Sequence, residues 1–239
     1  MIPELSEVVI KDGEVVAVDL ETYDPDLKKH GSGSILGKGF VVGIALAYED
    51  KKFYFPINHE EDKTGFAPSL VWKVLNKKIF QNEKVTKVFH NAMYDVCWIR
   101  AVTGKMIKGP ILDTMIAASV IDENRMRYSL DSLAKDYLND SKYKYDLAEK
   151  ASEDHGISDP MSNMHKLPHS LVKDYAEQDV NLTLKLWNKF EKIIKTPIKT
   201  ESKGKKTLEN IFNLETSLFP CLVDMRFTGV RIDEKRAKT

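Results

Sequence analysis

Three apolar runs in the N-terminal part of the chain, separated by polar segments, predict three β-strands. The first, Glu14–Leu20, is β-branched and almost continuously apolar, which is typical of a central strand covered on both faces. The second and third, Phe40–Tyr48 and Phe53–Ile57, are joined by a short charged turn. A segment rich in Gly, Ser, Asp and Lys at 23–39 indicates a long loop after the first strand. Strands connected in this way form an antiparallel meander.

From Pro68 onward the apolar residues recur at helical spacing, and helices then dominate the pattern. A helix at 68–80 precedes a fourth strand, Lys84–His90, and Asn91 is expected to cap the next helix, which ends at Gly104. A mixed sheet followed by helices indicates an α/β or α+β domain that ends near residue 194. The remaining elements are predicted as a short strand near Ile107–Leu112 and helices at Asp113–Ile121, Ser129–Leu138, Tyr143–His155 and Pro168–Ile194.

Behind this domain the pattern changes twice. Residues 195–207 are rich in Lys, Thr, Ser and Gly, which is typical of a basic linker. Leu208–Phe227 is again helical with apolar residues along one face, and Gly229 ends it. The segment is too short for a core of its own, so its apolar face needs a partner. We therefore expect three parts, which are a domain at 1–194, a linker at 195–207 and a helical segment at 208–239.

Composition and charge leave most functional classes open. The 36 Lys and Arg residues balance the 36 Asp and Glu residues, so a globally basic, nucleic-acid-binding chain is not indicated. Cys97 and Cys221 cannot build a disulfide framework or a zinc pattern, and His165 and His169 are expected at the surface. No apolar run reaches ~18 residues and no signal-peptide pattern is present, so we expect a cytoplasmic protein without membrane contact.

Five polar residues in predicted strands and helices are the candidates for chemistry. Asp19 and Glu21 lie two residues apart on one face of the first strand, where they repel each other unless a cation is bound. Asp95 falls near the start of a helix, where an acid complements the helix dipole. Tyr175 and Asp179 are spaced to share one helix face. Each feature alone has an ordinary structural explanation.

The order of these groups along the chain favours a metal site. Four converging carboxylates would carry a large uncompensated negative charge. Ligands that offer only oxygen select hard ions such as Mg²⁺ or Mn²⁺ rather than zinc. Two such ions ~3.5–4 Å apart suit the hydrolysis of phosphodiesters.

The ordered set Asp19/Glu21, Asp95 and Tyr175/Asp179 resembles the DEDD 3′–5′ exonucleases of the tyrosine-bearing subgroup. It is most similar to the proofreading domain of family A (DNA polymerase I-like) DNA polymerases, with a phage-like character. The motifs F-Y-F-P-I-N-H, D-T-M and S-L-D-S-L-A also resemble this family. The resemblance implies an RNase H-like fold, a mixed five-stranded sheet flanked by helices, here with a C-terminal helical extension.

The C-terminal segment adds a second resemblance. From Leu214 to Asp233 the chain is similar to the beginning of a family A polymerase domain. Residues 208–239 are therefore expected to be the first helix of such a domain, and polymerase activity is not expected of this chain. The resemblance leaves two possibilities open: the chain is a piece of a longer polymerase, or it is a natural stand-alone exonuclease.

The resemblance also implies the roles of individual residues. Two divalent ions, Mg²⁺ or Mn²⁺, would be bound by the four carboxylates, and Tyr175 would orient the attacking water. The implied reaction removes 5′-mononucleotides from the 3′ end of single-stranded DNA or of a frayed primer, in a bacterial or phage-infected cell. The residues implied to hold metal are Asp19, Glu21, Asp95 and Asp179, and those implied to contact the substrate are Thr22, Asn91, Tyr94 and Arg127.

Two other functions are compatible with the same residues. An RNase D-like 3′–5′ exonuclease would use the same site on RNA, and the polymerase-like C-terminal segment argues against it. A catalytically inactive DNA-binding scaffold is the second alternative. The presence of all four acids argues against this inactive form.

Overall fold

The computed structural model describes residues 5–60, 67–140, 151, 153–157, 159–198 and 206–237. Five strands form one mixed sheet in the order β3-β2-β1-β4-β5, as the fold class predicted. Strands β1, β2 and β3 pair antiparallel, and β4 and β5 join in parallel beside β1. The strands are β1 Val15–Tyr23, β2 Phe40–Tyr48, β3 Lys51–Pro56, β4 Thr86–Phe89 and β5 Ile111–Asp113.

The helices cover both faces of this sheet. The first long one continues into a π-helical turn at Asn76–Phe80, and a short 3₁₀ turn at Met164–Lys166 precedes the longest helix. No helix in the described ranges is both long enough and apolar enough to cross a membrane. The helices are α1 Leu27–His30, α2 Gly33–Leu36, α3 Pro68–Leu75, α4 Ala92–Thr103, α5 Thr114–Ile121, α6 Leu130–Leu138, α7 His169–Lys195, α8 Glu209–Thr228 and α9 Glu234–Ala237.

Alternation along β1 divides the core into two layers. Val16, Val18 and Leu20 pack with α3 and α4 on one face of the sheet. Ala17 points to the other face and packs against α7. Because side chains alternate along a strand, Asp19 and Glu21 share the face of Ala17 and are directed towards α7. The sheet thus determines which helix meets the two acids.

Strand β1 is longer than the sequence pattern predicts. The predicted strand ends at Leu20, whereas β1 runs to Tyr23 because the pairing with β2 continues through Tyr23 and Phe40. The register shifts between Glu21 and Thr22, which is a bulge in the ladder. Glu21 therefore lies inside a paired strand and immediately before an irregularity, which is a common position for functional side chains.

The C-terminal helix α8 packs on the body of the fold. Phe219 and Val223 are buried with residues of β1, α3 and α4, and Phe212 is buried beside Trp187 of α7. Arg100 of α4 forms an ion pair with Asp224, and its guanidinium lies 4.3 Å from the centre of the Phe227 ring. The partner of the apolar face predicted for this helix is therefore the core of the same chain.

Other apolar residues of α8 remain outside this contact. The apolar face predicted for Leu208–Phe227 includes Ile211 and Leu218, but these two residues are exposed, at 53% and 46%. The predicted helix at 143–155 and the predicted linker at 195–207 lie largely outside the described residues.

Candidate active site between β1, α4 and α7

Asp19 and Glu21 lie on the central strand of the sheet, opposite small residues of β2. Asp19 pairs with Ala45 and Glu21 with Gly43, so the neighbouring residues on β2 have a small side chain or none. Gly43 cannot carry a side chain, because a Cβ atom there would lie 2.0 Å from the hydroxyl oxygen of Tyr54. Glu21 is 7% exposed and Asp19 is half-buried. Two like charges are thus held on one half-buried face.

Asp95 reaches the same place from α4, which starts directly after β4. Its side chain is buried, and its Oδ1 accepts a hydrogen bond of 2.9 Å from the backbone N–H of Leu20. Leu20 is the residue between Asp19 and Glu21, so this bond fixes Asp95 beside both acids. The placement in the first turn of α4 also lets the helix dipole favour the negative charge.

The start of α4 is held by Asp113 and not by Asn91. Asn91 occupies the N-cap position with a left-handed backbone, at φ 67°, and its side chain makes no capping hydrogen bond, so the predicted cap is wrong. Instead the carboxylate of Asp113 accepts from the backbone N–H groups of Asn91, Ala92 and Met115, at 3.1, 2.8 and 2.7 Å. One buried acid therefore caps both α4 and α5.

Tyr175 and Asp179 face the acids from α7. Asp179 is 6% exposed and belongs to the buried stripe of this helix, and Tyr175 is half-buried one turn earlier. The stripe continues through Ala176 and Val180, which pack against Ala17 of β1. The spacing of four residues places both side chains on the sheet side of α7.

The electrostatics place these groups in one cluster. Burial raises the pKa of Tyr175, and the neighbouring charges of Asp179, Glu21 and Asp19 raise it further. Burial likewise raises the pKa of Asp95, with a further contribution from Asp19. The pKa values of Tyr175 and Asp95 are thus raised in part by carboxylates on other elements of the fold, so the carboxylates lie close enough to repel one another.

The donor set fits a hard divalent cation by its chemistry. All four carboxylates offer only oxygen, and a cation would offset both the burial of charge and the repulsion from Asp19 that raise the pKa of Asp95. Across the described ranges, no three Asp, Glu, His or Cys side chains are already arranged around one point as metal ligands. Asp95 instead directs Oδ1 to the amide of Leu20.

The four residues implied to contact substrate fall into two groups. Thr22 and Tyr94 are brought together beside the acids, where their hydroxyl oxygens are 2.6 Å apart, and the Tyr94 hydroxyl also donates to Asp24 at 3.2 Å. Burial raises the pKa of Tyr94 to about 12, so this hydroxyl is protonated at neutral pH. Asn91 is exposed at the start of α4, and Arg127 is exposed in the loop between α5 and α6.

Two histidines are buried in the structure, although the sequence predicted one of them, His165, at the surface and indicated no role for the other, His59. His165 was expected at the surface but is 5% exposed, with its ring 4.3 Å from that of Tyr23 and its Nε2 3.5 Å from Glu60. His59 is buried and lies between Tyr54 and α7. The motif F-Y-F-P-I-N-H was the available signal for His59, although the pattern alone did not indicate a role.

The mixed sheet with carboxylates on a central strand and two helices is the architecture of the RNase H-like nucleases. A sequence model described as 3′–5′ exonuclease, from the exonuclease domain of family A DNA polymerases, matches residues 3–195. The chain therefore belongs to the 3′–5′ exonuclease family of DNA polymerase A. The family resemblance drawn from the ordered acids is confirmed.

A phage DNA polymerase with a similar sequence agrees with this assignment. A DNA-directed DNA polymerase of Pseudomonas phage M6 is 32% identical over 241 residues, which cover 97% of this chain and 33% of that protein. The chain thus spans about a third of the length of this relative.

Two solved structures show the same fold at low sequence identity. The POL domain of Pol1 from M. smegmatis, in complex with DNA primer-template and dNTP, has a TM-score of 0.60 at 15% identity, over 96% of this chain and 30% of that one. Brucella melitensis NrnC with bound Mg²⁺ has a TM-score of 0.57 at 19% identity, over 90% and 86%.

Proposed function

We propose that this chain is a divalent-metal-dependent 3′–5′ exodeoxyribonuclease. It would hydrolyse the terminal phosphodiester of a DNA strand and release a 5′-mononucleotide. The observation that carries the proposal is the meeting of Asp19, Glu21, Asp95 and Asp179 beside Tyr175, from three elements of the family's fold. Four acids crowded at a half-buried site are costly unless positive charge is bound there.

The carboxylates would divide two ions between them. Asp19, Glu21 and Asp179 would hold one ion, and Asp19 together with Asp95 would hold the other, with Mg²⁺ or Mn²⁺ as the hard ions that suit this donor set. When bound, the ions supply the positive charge that offsets charge on the attacking and leaving oxygens. The bond from the Leu20 amide uses one acceptor site of Asp95 Oδ1, and the carboxylate keeps further acceptor sites for an ion.

Tyr175 would orient the attacking water as a hydrogen-bonding group. Burial and the adjacent carboxylates raise its pKa, so the phenol keeps its proton and is a poor base. Its hydroxyl can both donate and accept, which suits it to hold a water molecule in a chosen direction. Positioning of this kind is the contribution expected from the protein when the metal ions carry the charge.

The substrate end would be a single strand. Thr22 and Tyr94 are paired beside the acids and would contact the terminal nucleotide, with Asn91 and Arg127 further along the strand. A paired terminus must first be unstacked, which costs a few kcal/mol, so mispaired or frayed ends are favoured. This preference suits proofreading within a longer polymerase, in the cytoplasm of a bacterium or a phage-infected cell.

A labelled oligonucleotide assay tests the proposal. A single-stranded DNA carrying a fluorophore at its 5′ end should shorten stepwise from the 3′ end with Mg²⁺ or Mn²⁺, and EDTA should stop the reaction. Asp19→Ala should abolish it, whereas Asp12→Ala, which changes an exposed acid on the surface, should not. Folded wild-type protein that leaves the DNA intact with either ion would refute the proposal.

The same assay separates the alternatives. An RNA strand of the same sequence is digested side by side with the DNA. Faster digestion of RNA would favour the RNase D-like function. Tight binding of DNA without any hydrolysis would favour the inactive scaffold.

A further inference from the structure

A buried hydrogen-bonded chain joins the sheet to the start of α7. The Tyr54 hydroxyl and Nε2 of His59 are 2.8 Å apart, and Nδ1 of His59 lies 2.8 Å from the backbone carbonyl oxygen of Leu167. Tyr54 is 1% exposed and His59 is 7% exposed. Tyr54 and His59 are five residues apart, whereas His59 and Leu167 are 108 residues apart, so the second bond joins segments that are remote in sequence.

The partners determine the direction of each bond. A carbonyl oxygen only accepts, so Nδ1 of His59 carries the proton that it donates to Leu167. In a neutral ring Nε2 is then an acceptor, and the Tyr54 hydroxyl donates to it. The chain therefore runs from Tyr54 through His59 to the backbone, with one orientation of the imidazole.

Both ends of this chain touch the catalytic elements. At one end the Tyr54 hydroxyl covers Gly43, which pairs with Glu21 across β1 and β2. The charges of Glu21 and Asp19 add to the rise in the pKa of Tyr54 that its burial causes, so the tyrosine lies beside the acids. At the other end, Leu167 immediately precedes Pro168, the residue before the first turn of α7.

We propose that His59, held by Tyr54, is a positioning residue that fixes the start of α7 against β1 and β2. Tyr175 and Asp179 lie within the next three turns of this helix. Because α7 is continuous and its turns are joined by backbone hydrogen bonds, a displacement of its first turn would also displace these two side chains. His59 would therefore set the separation between Asp179 on α7 and Asp19 and Glu21 on the sheet. This inference rests on the proposed exonuclease function of the same site.

Three substitutions separate the two bonds of the imidazole. His59→Asn keeps an N–H near the position of Nδ1, so it can still donate to Leu167. His59→Gln places its amide near Nε2, so it keeps the contact with Tyr54 and loses the bond to the Leu167 carbonyl oxygen. His59→Ala loses both, and His155→Ala, at an exposed histidine, is the matched control.

Three measurements follow for each variant: kcat and KM on the 5′-labelled single strand, Mn²⁺ affinity by electron paramagnetic resonance, and hydrogen exchange of the amides in α7. We expect His59→Ala and His59→Gln to lower kcat and to weaken Mn²⁺ binding by roughly 10- to 100-fold, the range seen for groups that orient metal ligands. KM should change by less than about twofold, and exchange should rise in the first turns of α7. His59→Asn should recover most of kcat, because its donor to Leu167 remains.

The outcomes distinguish this inference from the proposed function. A merely structural role predicts a lower melting temperature with unchanged kcat and Mn²⁺ affinity in the folded variant, and that result would overturn the inference. Equal losses in His59→Asn and His59→Gln would also overturn it. If the wild type itself is inactive, the proposed function fails, while Mn²⁺ binding and exchange in α7 still decide whether His59 positions the helix.

Discussion

Replacing Asp113 tests how the fold holds Asp95 in the site. This side chain is 7% exposed and accepts three backbone hydrogen bonds, two at the start of α4 and one at the start of α5. Asp113→Ala removes both acceptor oxygens and leaves the three amides without this partner. Loss of one helix cap typically costs ~1 kcal/mol, and a buried amide left unsatisfied costs ~1–3 kcal/mol.

The expected loss of stability follows from these contacts. Two helices lose their caps, so we expect the free energy of unfolding to fall by about 2–4 kcal/mol in Asp113→Ala. Burial raises the pKa of Asp113, so the cost of burying the carboxylate offsets part of what its hydrogen bonds contribute, and this offset is included in the range. Asp113→Asn keeps one acceptor oxygen for the amides of Asn91 and Met115 and should lose less.

Urea unfolding followed by far-UV circular dichroism measures this loss, and turnover of labelled DNA measures its effect on the site. The start of α4 also places Asp95, so kcat of folded Asp113→Ala should fall at least ~10-fold, as for other groups that orient metal ligands. Glu123→Ala, which changes an exposed acid, should stay within about 0.5 kcal/mol and keep full activity. An Asp113→Ala protein that matches this control in both measurements would refute the reasoning.

Two further predictions concern the charge of the site and the C-terminal helix. Asp95→Asn should abolish exonuclease activity yet stabilise the metal-free protein at neutral pH by on the order of 1–2 kcal/mol, because it removes the cost of burying a charge and the repulsion from Asp19. Because the folded pKa of Asp95 is raised, its unfavourable effect develops as pH rises above the ordinary value of 3.8, so the difference in melting temperature should vanish below that pH. Phe219→Ala should lower the free energy of unfolding by roughly 3–5 kcal/mol, whereas Leu218→Ala, at an exposed neighbour, should cost less than about 1 kcal/mol. Equal urea midpoints for these two variants would show that α8 is not part of the core.

The elements and the candidate acids were accessible to sequence reasoning because their signals are local. Apolar periodicity predicts β2 at the bounds that the structure has, and it predicts β1 and α7 to within a few residues. The D-x-E pair on a strand and the Y-x-x-x-D pair on a helix each show, from spacing alone, that two side chains share a face. What spacing could not provide is which faces meet.

That meeting depends on contacts between residues remote in sequence. The amide of Leu20 and the carboxylate of Asp95 are 75 residues apart, and Asp113 caps a helix that begins 21 residues before it. The burial of His165 also depends on residues that are distant in sequence. For α8, the apolar stripe indicates that one face of the helix is covered, but it does not show which residues cover that face.

The sequence by itself therefore predicted the five strands and the longer helices of the described residues, and it singled out the five polar groups proposed as the active site. Only the tertiary structure decided that Asp113 rather than Asn91 caps α4, and that His59 joins the sheet to α7. The physical reason is that a buried polar group must find a partner wherever the fold supplies one. That partner is chosen by three-dimensional proximity, which no local pattern records.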